Sequence, residues 1–273
     1  DTFRVIDKEN GNYGSCVNRG LKEAKGKYIK ILDADDWFDT EAFNQLIIKL
    51  HSVDVDVVLT NYDIINISDG NKEYVGLKEL EYKGKYALDS EGVFKKISGF
   101  QMHAVTYNVK MLRDFGYMQT EGISYTDQEW IYYPMFYAKT LMCFDLCVYH
   151  YMIGREGQTM DPKVLEKSVP HTLIGTKSML QYYKVYDKST ISADRRAYLE
   201  GKCIGRLRYL LRFYLLVSHS FTDMKTVSEL SEIIAFSKNI KKKLLLTVIS
   251  RSKPIPYFLY WKLFRKRLPS FLR

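Results

Sequence analysis

The chain has 273 residues, 46% of them apolar and 27% charged, with aromatics at 14% and 22 tyrosines. These proportions suit a large globular domain, or a domain with an appendage, and exclude long disorder. No run approaches the roughly 20 apolar residues that a bilayer-spanning helix needs, and no signal-peptide pattern is present. The formal charge of +9 is localised: residues 238–273 hold eleven Lys/Arg and no acid, so the other 237 residues carry 30 basic against 32 acidic groups. A slightly acidic body with a cationic tail is not a nucleic-acid-binding domain, whose basic stripe lies on the fold itself, so no nucleic-acid partner is expected.

The chain opens on Asp1, and its first residues read as the middle of a fold, so an N-terminally truncated piece is expected. Phe3–Ile6 reads as a strand remnant, followed by a polar turn through Gly11 and Gly14 and a helix over Ser15–Lys25. Tyr28–Leu32 is a largely apolar strand that ends in Asp33-Ala34-Asp35-Asp36. Asp39 or Thr40 caps the next helix, with Phe43, Leu46, Ile47 and Leu50 at helical spacing, and Val57–Thr60 is another strand. Strands alternating with helices predict an α/β fold with a largely parallel sheet. Residues 64–85 read as hairpin excursions at a sheet edge. Thr126 opens an aromatic-rich helix (Trp130, Tyr132, Tyr133, Phe136), and Leu141–Met152 is a strand. Beyond Pro162 the chain turns helical, with Leu199, Cys203, Leu207, Leu210, Leu211, Tyr214 and Leu215 on one face. A soft boundary near Met160 separates an α/β unit, residues 1–160, from a helical extension, 161–237, and a basic aromatic tail, 238–273.

Cys16, Cys143, Cys147 and Cys203 form no C-x-x-C pair and have no nearby His at zinc-like spacing. They read as scattered buried thiols of a reducing compartment, which predicts a cytoplasmic location.

The chemistry concentrates at Asp33, Asp35 and Asp36. In open α/β sheets, ligands bind outside the carboxyl ends of strands, where these acids fall. Three carboxylates in four residues repel one another unless a cation is present, and hard divalent ions such as Mg²⁺ or Mn²⁺ suit carboxylate oxygens and bridge substrate phosphates. A lone D-x-D pattern is uninformative: Asp54-Val55-Asp56 is another, but it precedes its strand and reads as a solvated loop.

The run Asn10-Gly11-x-x-Gly14-Ser15-x-x-Asn18-x-Gly20-Leu21-x-x-Ala24-x-Gly26-Lys27-Tyr28-Ile29, leading into Leu32-Asp33-Ala34-Asp35-Asp36-Trp37, resembles the signature of family 2 glycosyltransferases of the GT-A fold. Ser124–Trp130 resembles that family's acidic base segment, and Tyr149-His150-Tyr151 with Gly154-Arg155-x-Gly157-Gln158-Thr159 resembles the strand and loop after it in bacterial surface-polysaccharide enzymes. The resemblance covers roughly residues 3–160. It implies a GT-A-like α/β domain with a helical C-terminal extension, and inverting transfer of a sugar from a nucleotide diphosphate, with UDP the expected nucleotide. It implies that Asp33 and Asp35 hold the donor ribose and a Mn²⁺ or Mg²⁺ on the diphosphate, that Asn18 belongs to the donor site, and that Asp127 is the general base on the acceptor hydroxyl. Arg155 and Gln158 lie in a loop that either grips diphosphate or forms an ordinary turn. Two departures stand out: Val17 occupies the position where the family carries Arg, and Thr126 replaces the Glu before Asp127. The family's first strands, part of its nucleobase pocket, are missing from the chain.

Several residues keep two readings. Thr126-x-x-Glu129 fits a capping box that would make Asp127 a first-turn acid, and Glu129 is a second candidate base. Asp36 is either a residue supporting the metal ligands or the start of a cap. Trp37 either stacks on a sugar or anchors the loop in the core. His103 and His150 are either structural or metal ligands. The tail, with Lys241-Lys242-Lys243, Tyr257–Trp261 and Arg265-Lys266-Arg267, either lies on an anionic inner leaflet or docks on the body. The leading reading is a metal-dependent transferase building a bacterial cell-surface polysaccharide on a glycan or lipid-linked acceptor, peripheral on the inner face of the plasma membrane. Its rivals are a catalytically inactive scaffold of the same fold and a two-metal phosphohydrolase.

Overall fold

A computed structural model describes residues 3–77, 80–82, 84–97, 99–155 and 162–213. The boundary near Met160, Gln158, Thr159, Leu215 and the basic tail lie outside the described residues. The polar turn leads into α1 (Asn12–Glu23), then come β1 (Tyr28–Ile29), β2 (Trp37–Phe38) and α2 (Thr40–Ser52). The chain continues through β3 (Val57–Asn66), β4 (Lys72–Val75), β5 (Lys85–Ala87), a short α3 (Val93–Lys96), β6 (Val105–Asn108) and α4 (Val109–Asp114). A single turn α5 (Asp127–Trp130), the long β7 (Thr140–Ile153) and two long helices, α6 (Pro162–Val185) and α7 (Ala193–Phe213), complete it.

The sheet runs β1-β6-β3-β7-β2, with β4 added to β3 and β5 to β7. Its long central pair, β3 with β7, is parallel from Val57↔Leu141 to Asn66↔Ile153, while the shorter flanking pairs are antiparallel. The α/β class therefore holds with a mixed sheet, parallel at its centre and antiparallel at its margins. Alternation along β3 sends Val57 and Leu59 into one apolar cluster and Val58 into another with Leu46, Val55, Phe144 and Val148. Both faces are thus covered, which is why β3 is buried continuously over Val57–Asp63.

Phe3–Ile6 forms no strand: Phe3 and Val5 are 92% and 87% exposed, with no sheet neighbour among the described residues. Only Tyr28–Ile29 of the expected Tyr28–Leu32 strand is paired. Asp39, not Thr40, caps α2, accepting from Ala42 N at 2.8 Å, while Ile47 leaves the predicted stripe and is 40% exposed. The aromatic helix after Thr126 stops after one turn because Pro134 interrupts it, and Tyr133–Phe136 continues as a 3₁₀ turn. The expected capping box does not form: Thr126 makes no side-chain cap, and Glu129 turns to Thr120 instead. Of the second D-x-D, Asp54 is exposed beside Lys27. Asp56 is an anchor rather than a solvated residue, accepting from the amides of Lys139 and Thr140 at 2.7 and 2.9 Å. The four cysteines are unpaired; Cys143 and Cys203 are buried as expected, whereas Cys147 is half-buried and Cys16, on α1, is exposed. Among the described residues no helix is long and apolar enough to cross a membrane.

The helices share their core with the sheet domain. Leu199, Cys203, Leu207 and Leu210 of α7 are fully buried against the cluster that holds Trp130, Tyr132 and Phe136. Arg195 fastens this join: its buried guanidinium donates to the carbonyls of Ala138 at 2.7 Å and Phe136 at 3.0 Å and to Asp89 at 2.8 Å. At the other end, Gly14 brings α1 against the 119–121 loop, where a Cβ would lie 2.0 Å from Thr120 O.

Two stability predictions follow from these joins. Arg195→Ala strands buried carbonyls and is expected to lower the unfolding free energy by about 3 kcal/mol in urea titrations. Asp89→Ala removes the carboxylate facing a guanidinium that is 2% exposed, and is expected to cost about 2 kcal/mol. Gly14→Ala forces the loop off α1, with an expected cost of about 1–3 kcal/mol and loss of hydrogen-exchange protection at Gln119 and Thr120.

Candidate functional site

The acidic loop is held between β1 and β2 by bonds to β7. β2 pairs Trp37 with His150 and Phe38 with Tyr149. The Tyr149 hydroxyl donates to Asp36 Oδ2 at 2.5 Å and accepts from Asp33 N at 3.2 Å, and Met152 N donates to Asp36 Oδ1 at 2.8 Å. Asp36 is therefore not the helix cap; it fastens the loop to the central sheet. Asp35 faces Arg155, whose guanidinium donates to Oδ2 at 3.0 Å. Burial, reinforced by the Asp36 charge, pushes Asp33 up to about 6. Asp36 is also raised by burial, against the hydrogen bonds from Met152 and Tyr149.

His103, from the turn before β6, completes the cluster: one ligand atom each from Asp33, Asp36 and His103 lie within 4.8 Å of one another. The imidazole is packed between Tyr149 and Tyr151, stacking on the latter at 4.2 Å. Its Nδ1 is buried without a hydrogen-bond partner. Burial, with help from Lys30, pushes His103 down to about 4, which keeps the ring neutral. Lys30 donates to the carbonyls of His103 and Val105 at 2.7 and 3.3 Å, and burial pushes it down to about 7. Two carboxylates and a neutral imidazole around a partnerless nitrogen are a donor set that fits a divalent cation such as Mn²⁺.

Asp127 belongs to the same neighbourhood. Tyr151 is raised by burial and then by Asp36, Asp127, Asp33 and Asp35 together. Tyr13, from the first turn of α1, is raised by burial and then by Asp33 and Asp127. Four carboxylates from sequence positions nearly 100 residues apart therefore act on Tyr151, and three of them, Asp33, Asp36 and Asp127, on Tyr13. Asp127 follows Tyr125, whose φ of +64° is a left-handed conformation rare for a non-glycine residue. The Asp127 carboxylate accepts from Gln128 at 2.8 Å and borders a cavity of about 330 Å³.

The other sequence candidates are placed as follows. Asn18 spans α1 and the 119–121 loop: its amide donates to Gln119 O and Glu121 Oε1, and its carbonyl accepts from Gln119 N. It borders a separate cavity of about 740 Å³ with Lys8, Arg19 and Arg113 that contains none of the four acids. Val17, at the position of the family Arg, is core. Glu129 is 1% exposed and locked by Thr120 N and Oγ1 at 2.7 and 2.8 Å, so it holds structure rather than facing a ligand. His150 sits 3.2 Å from Asp63 under Trp37, apart from the cluster. Trp37 is 42% exposed and is not a core anchor. Sequence reasoning gave no role to Tyr13 or Lys30 and did not join His103 to the aspartates. Tyr13 lies inside the recognised run, whereas His103 stands alone in an apolar stretch with no local signal.

Residues 1–116 match the family model "Glycosyl transferase family 2". Over 69 residues the chain is 39% identical to glycosyltransferase GlyG of Streptococcus pneumoniae, covering 25% of this chain and 23% of GlyG. It is 27% identical over 92 residues to glycosyltransferase GlyA of the same organism, covering 34% of this chain and 13% of GlyA. The chain thus spans less than a quarter of the length of either relative. Among solved structures, S. aureus TarS 1-349, crystallised with UDP-GlcNAc, superposes with a TM-score of 0.60 at 17% identity, covering 95% of this chain and 74% of that one. Residues 1–116 thus match glycosyltransferase family 2, and the chain carries that match on a GT-A-like α/β fold.

Proposed function

We propose that this protein transfers a sugar from a UDP-linked donor, with inversion, to a hydroxyl of a glycan or lipid-linked acceptor in bacterial surface-polysaccharide synthesis. The observation that carries the reading is the convergence of Asp33, Asp36, His103 and Asp127 on one site, on a fold shared with a TarS structure that holds UDP-GlcNAc.

Asp33, Asp36 and His103 would hold a divalent cation, with Asp35 beside them. When bound, the ion neutralises charge on the leaving diphosphate. Arg155, 54% exposed next to Asp35, supplies further positive charge to the diphosphate. Asn18 acts by position, fixing the loop that carries Gln119, which in turn donates to Thr126 O at 2.7 Å ahead of Asp127. Asp127 removes the acceptor hydroxyl proton as that oxygen bonds to the anomeric carbon. The bond from that carbon to the diphosphate oxygen breaks, and the electron pair leaves with the nucleotide. Attack opposite the leaving group inverts the centre. The cationic tail would keep the enzyme at the inner leaflet, close to a lipid-linked acceptor.

Calorimetric titration of the full-length protein with UDP and with GDP, each with and without Mn²⁺, tests the donor half of this reading. Mn²⁺-dependent UDP binding is expected, weakened at least about tenfold in Asp33→Asn, Asp35→Asn and His103→Ala. Absence of binding by folded protein would overturn it in favour of an inactive scaffold. Asp127→Asn is expected to retain UDP affinity while kcat drops by about 10²–10⁴, read as UDP release in the presence of acceptor.

A further inference from the structure

The cavity beside Asp127 has a second wall that the transfer chemistry above leaves unused. It is built by α7, whose Leu199, Cys203 and Leu207 are buried in the core, while Lys202, Arg206 and Tyr209 turn to the cavity. Added Cβ atoms at Gly201 and Gly205 would meet nothing within 4 Å, so the wall leaves room for a ligand. Lys202 Nζ lies over the rings of Tyr198 and Phe100 at 5.5 and 5.7 Å, and the Arg206 guanidinium over Tyr209 at 5.6 Å. Neither cation has an ion-pair or hydrogen-bond partner among the described residues, and Arg206 Nε is buried and unpartnered. Asp127 and Glu129 are near enough to act on Arg206 through space without forming an ion pair with it. Burial pushes Lys202 down to about 8, as expected for an ammonium with no carboxylate beside it. Two cations a helical turn apart, without an ion-pair partner among the described residues and facing a cavity, are a site for an anion.

We infer that Lys202 and Arg206 form an acceptor subsite that takes a phosphate ester, placing the attacked hydroxyl next to Asp127. The inference rests on the transferase reading and narrows its acceptor to a phosphate-bearing one, from a phosphodiester-linked glycan or from the diphosphate of a lipid carrier.

The test titrates full-length protein, in EDTA and without nucleotide, with glucose 1-phosphate and with methyl glucoside. The phosphate is expected to bind about tenfold tighter or better at low salt. Lys202→Gln and Arg206→Gln should each remove most of that preference, and Asp127→Asn should strengthen phosphate binding by removing a like charge. Displacement of the probe by glycerophosphoglycerol identifies a phosphodiester polymer as the source; displacement by farnesyl diphosphate identifies the lipid carrier. Equal binding of the two sugars, a preference unchanged in both variants, or displacement by neither competitor overturns the inference. UDP titration with Mn²⁺ and thermal melting of the same variants report donor binding and folding separately. Protein that binds UDP without a phosphate preference overturns the subsite alone, and protein that shows the preference but not UDP binding overturns the transferase reading.

Discussion

Mutual repulsion among Asp33, Asp35 and Asp36 is the constraint around which this structure is arranged. Three carboxylates in four residues cannot share one side of a loop unless each is separately compensated. Asp36 is taken by Tyr149 and the Met152 amide of β7, and Asp35 by Arg155. Asp33 has the neutral hydroxyl of Tyr13 against its burial and the Asp36 charge, and its affinity for a proton rises. A buried carboxylate beside other carboxylates gains from a nearby cation, which offsets both the burial and the repulsion. The same hydrogen bonds pin β2 to β7, so the electrostatics of the site and the edge of the sheet depend on each other.

The central parallel ladder explains how distant parts of the sequence meet there. β3 and β7 run side by side for the whole of β3, so residues leaving their carboxyl ends emerge on one side of the sheet. Tyr149 and Tyr151 come from β7 directly, and His103 packs against them from the turn before β6. Asp127 reaches the same place through a break in helical structure. Pro134 stops the aromatic helix after one turn, Glu129 is locked onto Thr120, and the strained Tyr125 backbone precedes the acid. The buried groups there fix the backbone, leaving Asp127 as the partly exposed carboxylate of the segment.

The acidic loop, the α1 turn and Asp127 were legible because each lies in a short ordered run of residues that the chain presents contiguously. The mixed sheet was less so, since the antiparallel margins come from strands of two to four residues whose direction no local pattern encodes. His103 illustrates a deeper reason. Its neighbours Tyr62, Tyr149 and Tyr151 arrive from two other strands, and nothing in the sequence around residue 103 records them. Glu129 misled for the opposite reason. Its spacing from Thr126 satisfies a capping rule, yet a tertiary partner, Thr120, competes for the carboxylate and wins because it offers two donors at once.

The site also divides along the chain in a way that bears on specificity. The family match ends at residue 116, ahead of both Asp127 and α7. Inside it lie Asp33, Asp35, Asp36 and His103, the groups that, on the proposed reading, hold the cation for the donor diphosphate. Outside it lie the groups that, on the proposed reading, meet the acceptor, which differs from one transferase to another. α7 packs its apolar face into the same core as the Trp130 segment and is fastened there by Arg195. Its outward residues are therefore held at a fixed position relative to Asp127. On the proposed reading, substitutions on that outward face alter the charge offered to the acceptor, and those at Arg206 also change the field at Asp127 and Glu129. On the proposed reading, a helix with one face committed to folding and the other turned to the acceptor would let acceptor choice vary over a constant donor chemistry.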